Sequence, residues 1–144
     1  MRLLLTGSQT WTEEDVIEDV MLAEIGDVPW NEVLIVHGGC KDGADALVEK
    51  IAHRHHWGRL IMPADWAHHG KAAGQIRNER MVKVGADVCL AFIRDKSPGA
   101  STTAVKADRA GIRTVVWRHE GDRVWRDDQK VDTSRVNPDQ GSLF

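Results

Sequence analysis

Short apolar runs alternate along the chain with longer segments in which apolar residues recur every three or four positions. The runs predict five β-strands: Arg2–Thr6, Glu32–His37, Arg59–Met62, Asp87–Ile93 and Arg113–Trp117. The periodic segments predict four helices. The first begins at a Thr12–Asp15 capping box, and the others lie near 44–55, 72–84 and 100–110. A polar loop is predicted over 64–71. Strands without polar alternation are typical of a parallel sheet covered on both faces.

This order of elements predicts an α/β domain of the Rossmann-like, doubly wound kind. Its mostly parallel, five-stranded sheet would carry helices on both faces and would span residues 1–117. Residues 118–126 could form a hairpin around Glu120-Gly121-Asp122. Residues 127–144 are polar and lack periodicity, so we interpret them as an extended or disordered tail.

Charge, cysteine content and the lack of long apolar segments argue against several classes of function. The formal net charge of −3 argues against binding of duplex DNA by the molecule as a whole. A local rim of basic residues is still compatible with this charge. Cys40 and Cys89 lie in unlike contexts, which favours free thiols in a reducing compartment. With no signal-peptide pattern and no apolar stretch of about 20 residues, we expect a cytoplasmic protein without membrane contact.

Ligands of open α/β sheets bind beyond the carboxyl ends of the strands, and four loops there are rich in glycine and polar residues. After the first strand come Gly7, Ser8, Gln9 and Trp11. After the second come Gly38, Gly39, Cys40, Gly43 and Asp45, with glycines preceding a helix N-terminus that could bind an anion. The third and fourth loops and the helices they enter add Asp65, Trp66, Lys71, Arg77, Asn78, Ser97, Gly99 and Ser101.

Each of these residues also has an ordinary structural interpretation. Asp45 could contact a ribose hydroxyl or act as an acid or base, but a carboxylate is favourable in any first helical turn. Arg77 suits bidentate phosphate binding, but it could equally be a solvated surface charge. Trp11 and Trp66 could stack on a ligand or simply cover the edges of the core.

Metal binding and serine hydrolysis are disfavoured. His53, His55 and His56 precede His68 and His69, but no cysteine or carboxylate completes a zinc pattern. The chain has no Gly-x-Ser-x-Gly nucleophile elbow. We therefore expect neither a metal nor a resident cofactor.

Taken together, the four loops resemble those of the SLOG superfamily, in particular its YspA/YpsA-like branch. The matching segments are Gly7-Ser8 with Trp11, His37-Gly38-Gly39-Cys40 with Gly43-Ala44-Asp45, Pro63-Ala64-Asp65-Trp66 with His69 to Gly74, Arg77-Asn78, and Ser97 with Gly99. The resemblance covers roughly residues 1–117. It implies a Rossmann-like domain for nucleotides or nucleotide-derived ligands.

Two departures limit what the resemblance implies. Gln9 stands where an arginine commonly follows the Gly-Ser pair, so a phosphate contact is lost or moved to Arg77 or Lys71. The fourth loop lacks the Pro-Gly-Gly-x-Gly-Thr-x-x-Glu signature of the related phosphoribohydrolases, so hydrolysis does not follow from the resemblance.

Three functions stay open on the sequence. The leading one is a module that senses or sequesters a nucleotide-type small molecule. The second is an enzyme acting on an N-glycosidic bond, with Asp45 or Asp65 as the carboxylate and His37 or His69 as the acid. The third follows from Gln140–Phe144, which resembles the short motif that binds bacterial sliding clamps. The apolar helix faces also leave a homo-oligomer open.

Overall fold

The computed structural model describes residues 1–95 and 97–128. Its strands are β1 (Arg2–Gly7), β2 (Leu34–His37), β3 (Gly58–Ile61), β4 (Val88–Arg94), β5 (Arg113–Glu120) and β6 (Arg123–Asp127). Its helices are α1 (Glu14–Ile25), α2 (Ala44–Arg54), α3 (Trp66–His69), α4 (Ala73–Val84) and α5 (Pro98–Arg109), with 3-10 turns at Trp30–Glu32 and Gly70–Ala72. The clamp-like segment Gln140–Phe144 lies outside the described residues.

The strands form one sheet in the order β3-β2-β1-β4-β5-β6. The first five strands run parallel, and β6 is antiparallel to β5. The mixed α/β class and the mostly parallel sheet are therefore as predicted, but the count of five strands is wrong because the sheet has six. The sixth strand forms because the chain turns back at Gly121, which has a φ of +57°, and pairs with a longer β5.

Helices cover both faces of the central strands. On one face, Leu3, Leu5 and Phe92 pack with α1 and α2 residues such as Ile17 and Val48. On the other, Leu4 and Cys89 pack with Met81 of α4 and Ala107 of α5. This double burial explains why the strands read as apolar runs without alternation.

Two helix starts differ from the sequence prediction. The Thr12–Asp15 capping box does not form: α1 begins at Glu14 after Glu13, and no side chain caps it. Within the predicted polar loop, Asp65 accepts a hydrogen bond from the backbone N–H of His68, and the short helix α3 forms there. A side-chain to backbone bond therefore sets the start of α3 but not that of α1, and sequence patterns for such bonds are degenerate.

None of the helices among residues 1–95 and 97–128 combines the length and apolarity needed to cross a membrane.

Candidate functional site

A cleft of about 390 Å³ opens beyond the carboxyl ends of β1 and β4. The chain order reverses there, since β1 has β2 on one side and β4 on the other. The connections leaving β1 and β4 diverge at such a switch point, which leaves a crevice between them. Residues after β1, β2 and β4 line it together with parts of α4 and α5.

Ser8 ties the two central strands together at the floor of the cleft. Its side chain accepts a hydrogen bond from Arg94 N at 2.8 Å and donates one to Arg94 O at 3.2 Å. Its backbone N–H donates to Phe92 O at 2.9 Å. The hydroxyl is thus occupied in holding the β1 loop against β4, although Ser8 lines the cleft as the sequence suggested.

Glycines let the start of α2 approach the β1 loop. A Cβ at Gly7 would lie 2.3 Å from Ala44 Cβ, and one at Gly43 would lie 2.3 Å from Ser8 O. Gly43 also has a φ of +72°, in the region that disfavours side chains. Ala44 N then donates to Ser8 O at 3.1 Å. These two glycines serve helix–strand packing, which builds the cleft wall.

Asp45 lies in the first turn of α2 and lines the cleft. Its side chain is only 7% exposed, and Oδ2 accepts a hydrogen bond from Cys40 N at 3.2 Å. This bond closes the glycine-rich loop after β2. The carboxylate therefore has a structural role and at the same time presents an acceptor at the cleft.

His37 does not line the cleft. It is 1% exposed, and its Nδ1 accepts a hydrogen bond from Gly39 N at 3.0 Å. The ring proton is therefore on Nε2, which lies 2.7 Å from Glu49 Oε2. Glu49 also pairs with Arg59 at 3.0 Å. Both ring nitrogens are engaged, so in this arrangement His37 supports the β2 loop and has no proton to give to a bound ligand.

Arg77 of α4 is the cation best placed for an anionic ligand. Its Nη1 donates to Gly38 O at 2.9 Å and its Nε to Asn78 Oδ1 at 2.8 Å. No carboxylate in the described part of the chain forms an ion pair with it. Both Arg77 and the buried Asn78 line the cleft. The guanidinium is thus held in place by neutral acceptors and keeps its charge available.

Cys40 lies between Asp45 and Arg77 and lines the same cleft. Burial raises the pKa of its thiol, the negative charge of Asp45 raises it further, and Arg77 works in the opposite direction. The side chain is therefore a neutral thiol near neutral pH, a weak nucleophile.

The start of α5 forms the opposite wall. Ser97 precedes the helix without a side-chain cap, Pro98 occupies the first turn, and Gly99 and Ala100 line the cleft. First-turn amides have no partner within their helix, so they can donate to a bound anion. Ser101 is 1% exposed and its hydroxyl has no partner among the described residues, but it does not line the cleft.

Several predicted residues lie elsewhere. Trp11 is 2% exposed and packs edge-on against Phe92 and His119 in the core. Asp65 caps α3, and Lys71 is exposed and does not line the cleft. Trp66 and Gly39 line a second lobe of the cleft, whereas Gln9 lines both lobes.

Arg94 is a residue of the cleft that the sequence pattern did not indicate. Arg94 ends β4, lines the cleft, and donates from Nη1 to Thr10 O at 2.7 Å. The strand-end rule could have found it, because it directly follows the apolar run of β4. It was hidden because it belongs to the strand rather than to the glycine-containing loop that follows.

No cluster of three or more His, Cys, Asp or Glu side chains within the described ranges could hold a metal ion.

The chain is similar to a known protein family and to a phage protein. The model of the YspA, cpYpsA-related SLOG family matches residues 1–69, from β1 through α3. The chain is 39% identical over 123 residues to the Gene 61 protein of Mycobacterium phage D29, covering 79% of this chain and 94% of that protein. No solved structure gives a significant match.

Proposed function

The chain belongs to the YspA, cpYpsA-related SLOG family, and on that premise we propose that it binds a nucleotide or nucleotide-derived ligand in the cleft. The cleft would act as a sensor or a sequestering site. The observation that carries the proposal is Arg77, a cation fixed by Gly38 O and Asn78 Oδ1 without a carboxylate partner in the described part of the chain.

A phosphate is the ligand group that best complements Arg77. A guanidinium has five N–H donors in a planar fork, and phosphate accepts two of them in parallel. Two of the Arg77 donors are used by Gly38 and Asn78, and we assign the remaining donors, beside the Cys40 thiol, to the ligand. The N-terminus of α5 on the opposite wall adds a positive potential that favours the same charge.

Asp45 and Asn78 supply the complementary polar groups. A carboxylate repels phosphate but accepts hydrogen bonds from the hydroxyl groups of a ribose. Asp45 lines the cleft with one oxygen bonded to Cys40 N. We therefore place the sugar at Asp45 and the phosphate at Arg77.

Binding without turnover is the form of the proposal that the site supports. Cleavage of an N-glycosidic bond needs a carboxylate at the reacting carbon and an acid that protonates the leaving base. Asp45 could supply the first group, but both ring nitrogens of His37 are engaged by Gly39 and Glu49. The other acid that the sequence suggested, His69, lines neither lobe of the cleft, so neither histidine is placed to supply the second group.

A thermal-shift screen with nucleoside mono-, di- and triphosphates tests the proposal. A ligand at about 100 times its dissociation constant adds about 2.7 kcal/mol of stability, which gives a clear rise in melting temperature. We expect Arg77→Gln to weaken binding of the best ligand at least tenfold, because hydrogen bonds to charged groups contribute about 1.5–3 kcal/mol.

Arg80→Gln is the matched control, since Arg80 is exposed on the same helix and does not line the cleft. Equal affinities of the Arg77→Gln and Arg80→Gln variants would contradict the placement of the phosphate. A base-release assay on the best ligand tests the enzymatic alternative: release by the wild type that disappears in Asp45→Asn would replace the binding proposal by a hydrolase.

A further inference from the structure

The cleft continues past Arg77 into a second lobe of about 380 Å³. The two lobes share four wall residues, namely Gln9, Gly38, Cys40 and Arg77. The first lobe, at about 390 Å³, has a similar size. Each lies near the lower end of the roughly 300–1,000 Å³ typical of small-molecule sites. A ligand confined to the first lobe would therefore leave an equal, adjoining volume empty.

The outer wall of the second lobe carries an exposed aromatic ring. Trp66 is 61% exposed, although tryptophan is usually well buried. The indole lies beside α4 at Gly74, where a Cβ would be 3.5 Å from Trp66 Cη2. It begins α3, which Asp65 caps through the His68 amide at 3.1 Å. Trp66 thus stands on a capped helix with most of its surface open, which suits stacking against a planar ring.

We infer that the ligand is a dinucleotide-type molecule, with two nucleosides joined through a diphosphate. The first nucleoside occupies the lobe of Asp45, the diphosphate crosses at Arg77, and the second base stacks on Trp66. This inference rests on the proposed function and adds the ligand class and a second subsite to it.

The charge distribution agrees with this placement. Arg77 is the cation common to both lobes, so a group that bridges the lobes passes its guanidinium. A diphosphate provides oxygens along the whole crossing, so one of its phosphates can accept from Arg77 while the other links to the second nucleoside. Lys41 and Asp42 both line the second lobe and offset each other, so the positive charge of that lobe rests on Arg77.

Calorimetric titration of the full chain with AMP, ADP and diadenosine diphosphate, and with their guanosine counterparts, tests the inference. We expect the dinucleotide to bind more tightly than the mononucleotide with the same base. Trp66→Ala should weaken dinucleotide binding about tenfold, within the range measured for base–aromatic stacking, and leave mononucleotide binding unchanged. Trp66→Phe should retain most of the dinucleotide affinity.

Trp30→Ala is the matched control, because Trp30 is 60% exposed and lines neither lobe. We expect it to bind every probe as the wild type does. If mononucleotide and dinucleotide bind equally and Trp66→Ala changes neither, the inference is overturned while the proposed function stands. If no probe binds, both are contradicted. If Trp66→Ala weakens mononucleotides and dinucleotides alike, the second subsite is wrong.

Discussion

The small size of Gly38 leaves room for the Arg77 guanidinium, the group on which the proposed function rests. A Cβ at this residue would lie 2.3 Å from Arg77 Nη1 and 2.8 Å from Arg77 Cζ. The obstructing atoms are at the end of a flexible side chain, so a methyl group can be accommodated when the guanidinium moves away. Gly43 differs, because its Cβ would meet the backbone oxygen of Ser8 at 2.3 Å and its φ is +72°.

We therefore predict opposite phenotypes for two alanine substitutions. Gly38→Ala should keep a melting temperature close to the wild type but weaken nucleotide binding about tenfold, because the displaced guanidinium loses charged hydrogen bonds. Gly43→Ala should lower the melting temperature by several degrees, because the strain is in the backbone. Thermal denaturation and titration with the best nucleotide measure both effects. A Gly38→Ala variant with intact binding would contradict the role given to Arg77.

The sequence led to part of the site because strand ends are recognisable. Asp45, Arg77 and Asn78 follow predicted strands and do line the cleft, and their contact with a ligand stays a prediction. Trp11 and His37 show the limit of the rule. Their burial depends on residues remote in the chain, Phe92 and His119 for the indole and Glu49 for the imidazole. The pattern of apolar and polar residues along the sequence carries no information on such contacts.

At the scale of elements, α1 is joined to α2 by ion pairs. Glu14 lies 2.9 Å from Lys50 and 3.4 Å from Arg54, and Glu18 lies 3.0 Å from His55. The hydrogen bond with Lys50 lowers the pKa of Glu14, and the hydrogen bond with His55 lowers the pKa of Glu18. Folding is thus linked to the ionised form of both carboxyls.

This linkage predicts how stability changes with pH. The unfolded carboxyls titrate near 4.5 and the folded ones lower, so the contribution is complete above that value and is lost as the pH falls through the folded pKa. The double variant Glu14→Gln/Glu18→Gln should be less stable than the wild type at pH 7, and the difference should shrink at pH 3. Urea unfolding at several pH values measures this.

Asp15→Asn/Asp19→Asn is the control for that experiment, because it makes the same change in charge at exposed positions of α1 that form no ion pair with any described residue. A difference from the wild type that stayed constant between pH 7 and pH 3 would show that the ion pairs do not couple to folding.

The sequence predicted strands well where helices bury both of their faces, and less well at the edge of the sheet. β1 and β4 are covered by helices on both faces, and their apolar runs were recognised with nearly correct bounds. β6 contacts the core through Val124, and its two exposed arginines enclose only the partly buried Val124 and Trp125. The sequence predicted a possible hairpin over 118–126 but counted it outside the five-stranded sheet, whereas its second strand, β6, pairs with β5 as part of that sheet.

At the scale of the whole molecule, the segment Gln140–Phe144 outside the described residues gives a separate prediction. We propose that it binds a bacterial sliding clamp, with Leu143 and Phe144 in an apolar pocket and Gln140 hydrogen-bonded at its edge. Immobilised clamp should retain the full chain but not residues 1–139. Leu143→Ala/Phe144→Ala should behave like the truncation and Ser142→Ala like the full chain. Equal retention of all four proteins would dispose of the motif.

The bonds between Ser8 and Arg94 have a consequence for biosynthesis. They join positions 86 apart in the chain, and the floor of the cleft depends on them. While the chain is being synthesised, the β1 loop can pack against α2, but the Ser8 hydroxyl has no bonds to Arg94 until β4 has left the ribosome. The cleft is completed late, so nucleotides in the surrounding solution encounter a finished pocket only on chains that have already assembled their central strands.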